Sequence, residues 1–572
     1  MARRRLLPAT LAFAVFALGA CAAPSSFDGL AGGTKEAKED ATVDAPRPVS
    51  PISVSLVSSA RPRLKWDLGA KLTGAVVEMS RTPQFAKDVK RFEAKGSELV
   101  VPEDLELGVW FWRLKGTAAG TFGTTTSVVW EMVVRGPAAH GASDAPTRSM
   151  NDMNADGVPD LMIAATIDDS QSPGGPSNPN RVIAPGPIAA GTAGGANTPP
   201  VPMAPILLWY PGDLERGFAG GGKDGFVGST STYDGPISIG GGTDFDGDGH
   251  TDLIEGGTWA DTFDGKLWFS VTTIYASTSK DSAFDLNRGG PIYLGAEDGH
   301  TLPSVREGAD VDGDGYGDAV VGLEDVGFLV LGGVAKGLSL PAVLPVEPAW
   351  GGAHSGKSRI AMGSFDANGD GLADVAFSFT NSYQPSARAF AAAGDRSRRV
   401  GDTKFIDASD AKLATAFTAG DFNGDGIDDV AITTPVGTST RVCIWFGDRE
   451  KLLTPGPCVA APAGDQDFGA SLTAVDLEGD GIDELLATAK TGDTDGVRVV
   501  RIGGDGVAKA QPIGVPGLGV RLTTIWPGRP GKARWAAVAA DGSRVGIFEG
   551  GDLKETLMQP RDILRGFGRG IR

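Results

Sequence analysis

Between residues 51 and 135 apolar and polar side chains alternate in short runs: "RPRLKWDLG" (61–69), "GAVVEMSRTPQF" (74–85), "LELGVWFWRLKG" (105–116) and "SVVWEMVV" (127–134). A two-residue period sends successive side chains to opposite faces, and turn-forming residues separate the runs, so each predicts a β-strand. In "VWFWRL", Trp110 and Trp112 share one face and Phe111 takes the other. Further along the chain the pattern changes. Short apolar runs ("LMIAA", "LIEGG", "AVVGL", "VAFSF", "VAITT", "LLATA") each follow a stretch of aspartate and glycine. Runs so short, bounded by turn residues, predict strands and not helices. The expectation is an all-β chain: a small β-sandwich over 51–135, a linker over 136–146, and a repeating array over 147–572.

The aspartate-rich stretches recur six times, as "DMNADGVPD" (152–160), "DFDGDGHTD" (244–252), "DVDGDGYGD" (310–318), "DANGDGLAD" (366–374), "DFNGDGIDD" (421–429) and "DLEGDGIDE" (476–484). Their starts lie 92, 66, 56, 55 and 55 residues apart, a spacing that signals a propeller or solenoid. The second, with Glu255 at its twelfth position, satisfies the EF-hand pattern. The other five have Ile163, Val321, Phe377, Ile432 and Ala487 there, none of which coordinates a metal, and strands flank every copy. Each is therefore a hairpin turn and not a helix–loop–helix.

Oxygen donors nevertheless recur at fixed positions. Position 1 is Asp152, Asp244, Asp310, Asp366, Asp421 or Asp476; position 3 is Asn154, Asp246, Asp312, Asn368, Asn423 or Glu478. Position 5 is Asp156, Asp248, Asp314, Asp370, Asp425 or Asp480, and position 9 is Asp160, Asp252, Asp318, Asp374, Asp429 or Glu484. Hard oxygen ligands at alternate positions, with glycine at position 6 to permit the bend, suit calcium. Without a cation such carboxylates repel one another. About five to six structural calcium ions are expected. The longer acids Glu478 and Glu484 leave the sixth loop open.

"FGASLTAVDLEGDGIDELLATA" (468–489) resembles the FG-GAP repeat of integrin α-subunit propellers and related bacterial proteins. The resemblance implies a propeller of four-stranded blades, often seven, with calcium in the hairpin between a blade's first and second strands. A seventh blade is expected where "LTTIWPGRPGKARWAAVAA" (522–540) overlays "LTAVDLEGDGIDELLATAK" (472–490), with Trp526, Gly528, Pro530 and Arg534 replacing the ligands. Third strands recur as well, among them "LLWYPGD" (207–213) and "CIWFGD" (443–448). The 51–135 region looks like a fibronectin type III module with Trp66 in its core, and is expected to act as a spacer.

The N-terminus has three arginines before the apolar run "LLPATLAFAVFALGA", too short to span a bilayer comfortably. It closes on "LGAC", which resembles a bacterial lipobox; residues 1–20 would then be a lipoprotein signal peptide and Cys21 the acylated residue. Residues 21–50, rich in Ala, Gly and Pro, are expected to form a flexible tether. The implied location is the cell envelope, at the outer membrane or cell surface, with the membrane as partner through the lipid. In that oxidising setting the remaining cysteines, Cys443 and Cys458, favour a disulfide over two buried thiols. The formal charge of −19 excludes nucleic acid as a natural partner.

Enzymatic signatures are sparse. "GGAHSGKS" (351–358) fits the P-loop pattern but precedes a strand and a turn where a helix is required. His140, His250, His300 and His354 are scattered, and neither HExxH nor GxSxG occurs. The reading is a monomeric, non-enzymatic surface protein whose calcium-stabilised propeller mediates adhesion or binds a protein or glycan. The alternatives are a polysaccharide lyase on a calcium-rich propeller and a purely structural envelope scaffold. Ligand anchors are expected on loops of the face opposite the calcium turns: Trp259 and Phe263 in "GGTWADTFDG", and Tyr383 in "NSYQPS". A long insertion over 168–204 belongs to the same face.

Overall fold

The structure is a computed structural model. It describes residues 38–135, residue 119 excepted, and between 146 and 571 the strands and the aspartate-rich turns. Residues 1–37, 136–145, 169–202, 213–225, 229–237, 331–341, 344–357 and 407–415, with shorter breaks elsewhere, lie outside the described residues. The signal peptide, Cys21, Phe263, Tyr383, most of the 168–204 insertion and all of the P-loop-like stretch except Ser358 are among them. Every described element is a strand.

The N-terminal module has two sheets. Arg47–Ser50, Arg63–Asp67 and Glu98–Val100 form the smaller. In the larger, Lys90–Lys95, Gly74–Ser80, Gly108–Ala118 and Trp130–Val134 lie side by side in that order. Leu64, Trp66, Val77, Trp110, Trp112 and Trp130 fill the core. Trp112 meets Trp130 edge-to-face at 5.6 Å between centroids, and the Trp66 indole donates to the Gly96 carbonyl at 3.0 Å.

Two boundaries differ from expectation. The tether does not extend to residue 50: Lys38–Asp40 pairs with the strand Thr121–Thr126, and Arg47–Ser50 pairs with Arg63–Asp67. Val43, Pro46, Pro48 and Ser50 are buried there, an alternation that proline and charged neighbours conceal in the sequence. At the other end, Pro146–Ser149 pairs with Ser55–Val57, so residues assigned to the linker and the array complete the module's larger sheet.

Among the described residues the rest of the chain forms seven antiparallel sheets in succession. In the first, Leu161–Asp168 and Met203–Tyr210 are flanked by Phe226–Gly228 on one side and the C-terminal strand Leu564–Ile571 on the other. The other six are meanders, two of them with one further strand: Ile292–Ala296 also pairs with Leu267–Thr278, and Asp465–Gln466 pairs with Glu484–Thr491 beside Leu472–Val475. Their first strands (Ser238–Thr243, Ser304–Glu307, Ser358–Phe365, Phe417–Gly420, Leu472–Val475 and Leu522–Trp526) each lie against the next. Apolar faces pack sheet on sheet: Ile432 and Leu453 against Phe365 and Ala376, and Trp535 and Phe548 against Leu486 and Val499. Leu161, Ile163 and Tyr210 of the first sheet pack against Ala536, Val538 and Ile547 of the last, which closes the circuit. Closure leaves the sheets only short edges.

Strand boundaries settle two further positions. Trp259 lies in the strand Asp252–Ala260, opposite Trp268, and not in a loop. It extends the apolar run past the glycine pair that suggested a turn. Ser358 opens a strand, so the P-loop-like stretch has no helix after it. Cys443 and Cys458 oppose one another on neighbouring strands and form a disulfide.

Candidate metal centre: a ring of acidic turns

All six acidic stretches are turns leading into the second strand of a sheet; turns two to six share one hydrogen-bonding scheme, of which turn one has the bonds from positions 2, 5, 6 and 7. In turn two, Asp244 Oδ1 accepts from the amides of Gly247 and Asp248 at 2.6 and 3.1 Å, and its Oδ2 from that of Gly249 at 2.8 Å. Asp248 accepts from the His250 amide at 3.0 Å, and Asp252 from the Phe245 amide at 2.8 Å. The same bonds recur around Asp310, Asp366, Asp421 and Asp476. The glycine at position 6 has φ between 82° and 98° in every turn, where a Cβ would be strained.

These bonds hold the carboxylates in place and leave lone pairs directed inward. Oxygens of Asp244, Asp246 and Asp252, and those of Asp310, Asp312 and Asp314, come within 4.8 Å of one another, a spacing that fits a hard cation. Burial, with the neighbouring carboxylates adding to it, pushes the first aspartate's carboxyl up to about 8 at Asp310 and about 7 at Asp366. At Asp421 burial raises it only to about 6, because the guanidinium of Arg135 opposes the shift. Asp160, Asp374 and Asp429 are raised well above the ordinary carboxylate range, chiefly by burial.

The turns are linked to one another. The amide of position 8 in each of turns two to six donates to the carbonyl of position 1 in the turn before: Thr251 to Asp152, Gly317 to Asp244, Ala373 to Asp310, Asp428 to Asp366 and Asp483 to Asp421, at 2.7–3.2 Å. Asp428 and Asp483 also accept the amides of Asp366 and Asp421 at 3.1 and 2.9 Å. Sequence reasoning passed over both, since position 8 is not a ligand position. It also missed Gly212, Gly394 and Gly447, whose amides donate to the second oxygen of Asp160, Asp374 and Asp429 at 2.8–3.0 Å. The signal for these was the recurrent Gly-Asp ending of the third strands.

Turn six differs. The Arg501 guanidinium donates to Glu478 and to Glu484, both at 3.0 Å, so the two longer acids reach a cation built into the chain. Arg135 of the N-terminal module, 3 % exposed, pairs with Asp483 at 3.1 Å and donates to the Gly481 carbonyl at 2.8 Å.

Arg135 is one of several contacts that set the module directly on the ring. Phe111, Val109 and Val133, on the face of its larger sheet away from the core, pack with Val158 of turn one. The Ser53 hydroxyl donates to the Gly249 carbonyl at 3.0 Å, and Arg47 donates to the Asp314 carbonyl at 2.7 Å and stacks over Tyr316. A Cβ on Gly249 would come within 2.4 Å of the Val129 carbonyl, and one on Gly315 within 2.8 Å of Val49. The glycines that permit the turns also permit the docking. Glu131 shares this face, buried, and lies against Asp152 of turn one, with Asp156 and Asp160 close by. Burial raises both the Glu131 and Asp152 carboxyls; Glu131 adds to the shift of Asp152, while a hydrogen bond from Asp152 opposes that of Glu131.

Residues 413–442, which contain turn five, match the FG-GAP repeat. The fold is a β-propeller. Solved structures similar to this propeller chain include the Dos1 propeller, at 11% identity and TM-score 0.32 over 54% of this chain and 78% of that one. A lectin of Agrocybe aegerita that recognises non-reducing terminal N-acetylglucosamine has 11% identity and TM-score 0.40 over 73% and 94%. Rhamnogalacturonan lyase of Bacillus licheniformis has 11% identity and TM-score 0.32 over 89% and 92%. No curated protein sequence matches.

Proposed function

We propose that the chain is a lipid-anchored envelope protein in which a calcium-stabilised, seven-bladed propeller presents one face to a protein or glycan ligand. The seven sheets are its blades, and the C-terminal strand Leu564–Ile571 completes the first of them. The module before it is a fibronectin type III-like sandwich, whose core strands are the three of the smaller sheet and four of the eight in the larger, Lys90–Lys95, Gly74–Ser80, Gly108–Ala118 and Trp130–Val134. Acylation at Cys21 anchors the chain, and residues 22–37 tether it. Calcium occupies turns one to five, at the weak affinities of extracellular sites, about 10⁻⁴–10⁻³ M. In turn six Arg501 supplies the counter-charge instead.

The observation that favours binding over catalysis is the position of the acids. The first aspartates of the turns are buried, engaged by backbone amides, and lie on the face where the module docks. Carboxylates so enclosed do not reach a polysaccharide for general acid–base work. That leaves the opposite face for recognition. A glycan array run beside a lyase and hydrolase screen on the protein lacking its lipid tests this: binding without turnover is expected, and cleavage of any polysaccharide would replace the reading with the lyase. Neither binding nor turnover would leave the envelope scaffold. Cys21→Ser is expected to abolish partition into detergent.

A further inference from the structure

We propose that Glu131, from the N-terminal module, is a ligand to a divalent cation held with Asp152 in turn one, so that the ion joins module to propeller. This rests on the reading of the turns as calcium sites and extends it to a ligand outside the repeat.

Strand Trp130–Val134 sends Trp130, Met132 and Val134 into the module's core, and Glu131 and Val133 to the docking face. Val133 meets apolar partners there. Glu131 is 1 % exposed, and among the described residues neither of its carboxylate oxygens has an amide, hydroxyl or cationic hydrogen-bond donor. An ionised carboxylate buried without a partner costs several kcal/mol, about the largest penalty a single side chain imposes. Its carboxylate lies against another, that of Asp152, whose own oxygens already accept the amides of Asp156 and Gly157 at 3.2 and 2.7 Å. A shared proton would remove one charge from a cluster that also contains Asp156 and Asp160. A divalent ion removes two and is what the spacing of the turn already suits.

Two further features agree. Turn one has Asn154 where turns two and three have Asp246 and Asp312, so Glu131 brings its carboxylates to four, as in those turns. The backbone at Glu131 is also pinned. Its amide donates to the Ser53 hydroxyl at 3.1 Å, and that hydroxyl donates to turn two. Its carbonyl accepts from the Val54 amide at 2.8 Å. Pinning on both sides aims the side chain at turn one before any ion arrives.

The test compares the intact protein with its Glu131→Gln variant by calorimetric calcium titration and by melting in chelator. Glu131→Gln is expected to bind one ion at least tenfold more weakly with the others unchanged, and to melt higher than wild type in chelator because a repulsive charge is gone. Equal ion number and affinity in the two proteins would overturn the proposal, whatever the chelator melt, since that is the shared-proton outcome. A wild type that binds no calcium would instead refute the calcium reading of the turns, and the proposal with it. If the variant folds poorly, infrared difference spectra with ¹³C-carboxyl glutamate decide the matter in a Glu478→Gln, Glu484→Gln background, where no turn contributes a glutamate ligand. A glutamate band that moves on calcium addition is expected, and none moving would overturn the ligand role.

Discussion

Turn one and turn six have the same nine-residue spacing and the same bonds from the amides of positions 2, 5, 6 and 7, yet the N-terminal module meets them with opposite charges. Glu131 faces Asp152 in turn one, while Arg135, four residues later, pairs with Asp483 in turn six. In turn six two of the chain's own cations, Arg135 and Arg501, pair with Asp483, Glu478 and Glu484. In turn one the module adds an anion to the acids instead. The lesson is that one ligand spacing can carry opposite charge balances. The residues that neighbouring elements bring to each turn share in setting that balance.

The broadest way to test this contrast is to remove calcium. Each ion present at one hundred times its dissociation constant contributes about 2.7 kcal/mol, so losing several should lower the melting temperature by more than any substitution. The ring alone contains the turns, and a separately folded module would survive chelation. Because Phe111, Val133 and Glu131 lie on the docking face, the module is instead expected to loosen with the ring. Hydrogen exchange in the strand Trp130–Val134, with and without chelator, checks this, and unchanged protection there would separate the two domains after all.

Next in size is Arg135→Met. It leaves Asp483 buried without the Arg135 guanidinium, at a cost of about 3–5 kcal/mol in chemical denaturation. A cost below about 1 kcal/mol would mean that turn six does not depend on the module. Asp483→Asn in the same background should recover part of the loss.

A pH series on the chelated protein comes third. In the metal-free fold Asp310 and Asp366 keep their protons up to about 8 and about 7, while in the unfolded chain they release them near the ordinary value of 3.8. Between those limits the native state binds more protons, so stability falls as pH rises from about 4 to 8, by about 1.4 kcal/mol per unit for each titrating group. Calcium binding displaces the same protons and should strengthen over the same range. Melting temperatures of chelated and loaded protein are expected to diverge as pH rises, and parallel curves would show that no ion replaces the protons.

The smallest effect is expected from Arg501→Gln. Arg501 is half-buried and Glu478 exposed, so that pair contributes less than about 1 kcal/mol in chelator. The informative readout is the ion count: with its internal cation gone, turn six is expected to gain a calcium ion. A variant that gains none would show that the longer acids, and not the arginine, exclude the ion.

Local chemistry was legible along the chain because it depends on neighbours in sequence. The six turns, their position-6 glycines and the strands that follow are written in aspartate spacing, backbone freedom and short apolar runs, and the structure has turns and strands at those places. The alternation in "VWFWRL" separated Trp110 and Trp112 from Phe111, and so it defined two faces. It did not say that the second face is buried too. That follows only once the ring closes and presents Val158, Gly249 and Gly315 to the module, a juxtaposition of residues far apart in the chain. Glu131, Arg135 and Arg501 belong to the same class. Glu131 and Arg501 are ordinary strand residues by pattern and Arg135 follows a strand, and the role of each comes from a charge met across the fold. Hydrogen-bonded turns are short-range objects that the order of residues determines. The balance of buried charge around them is long-range, and only the tertiary structure decides it.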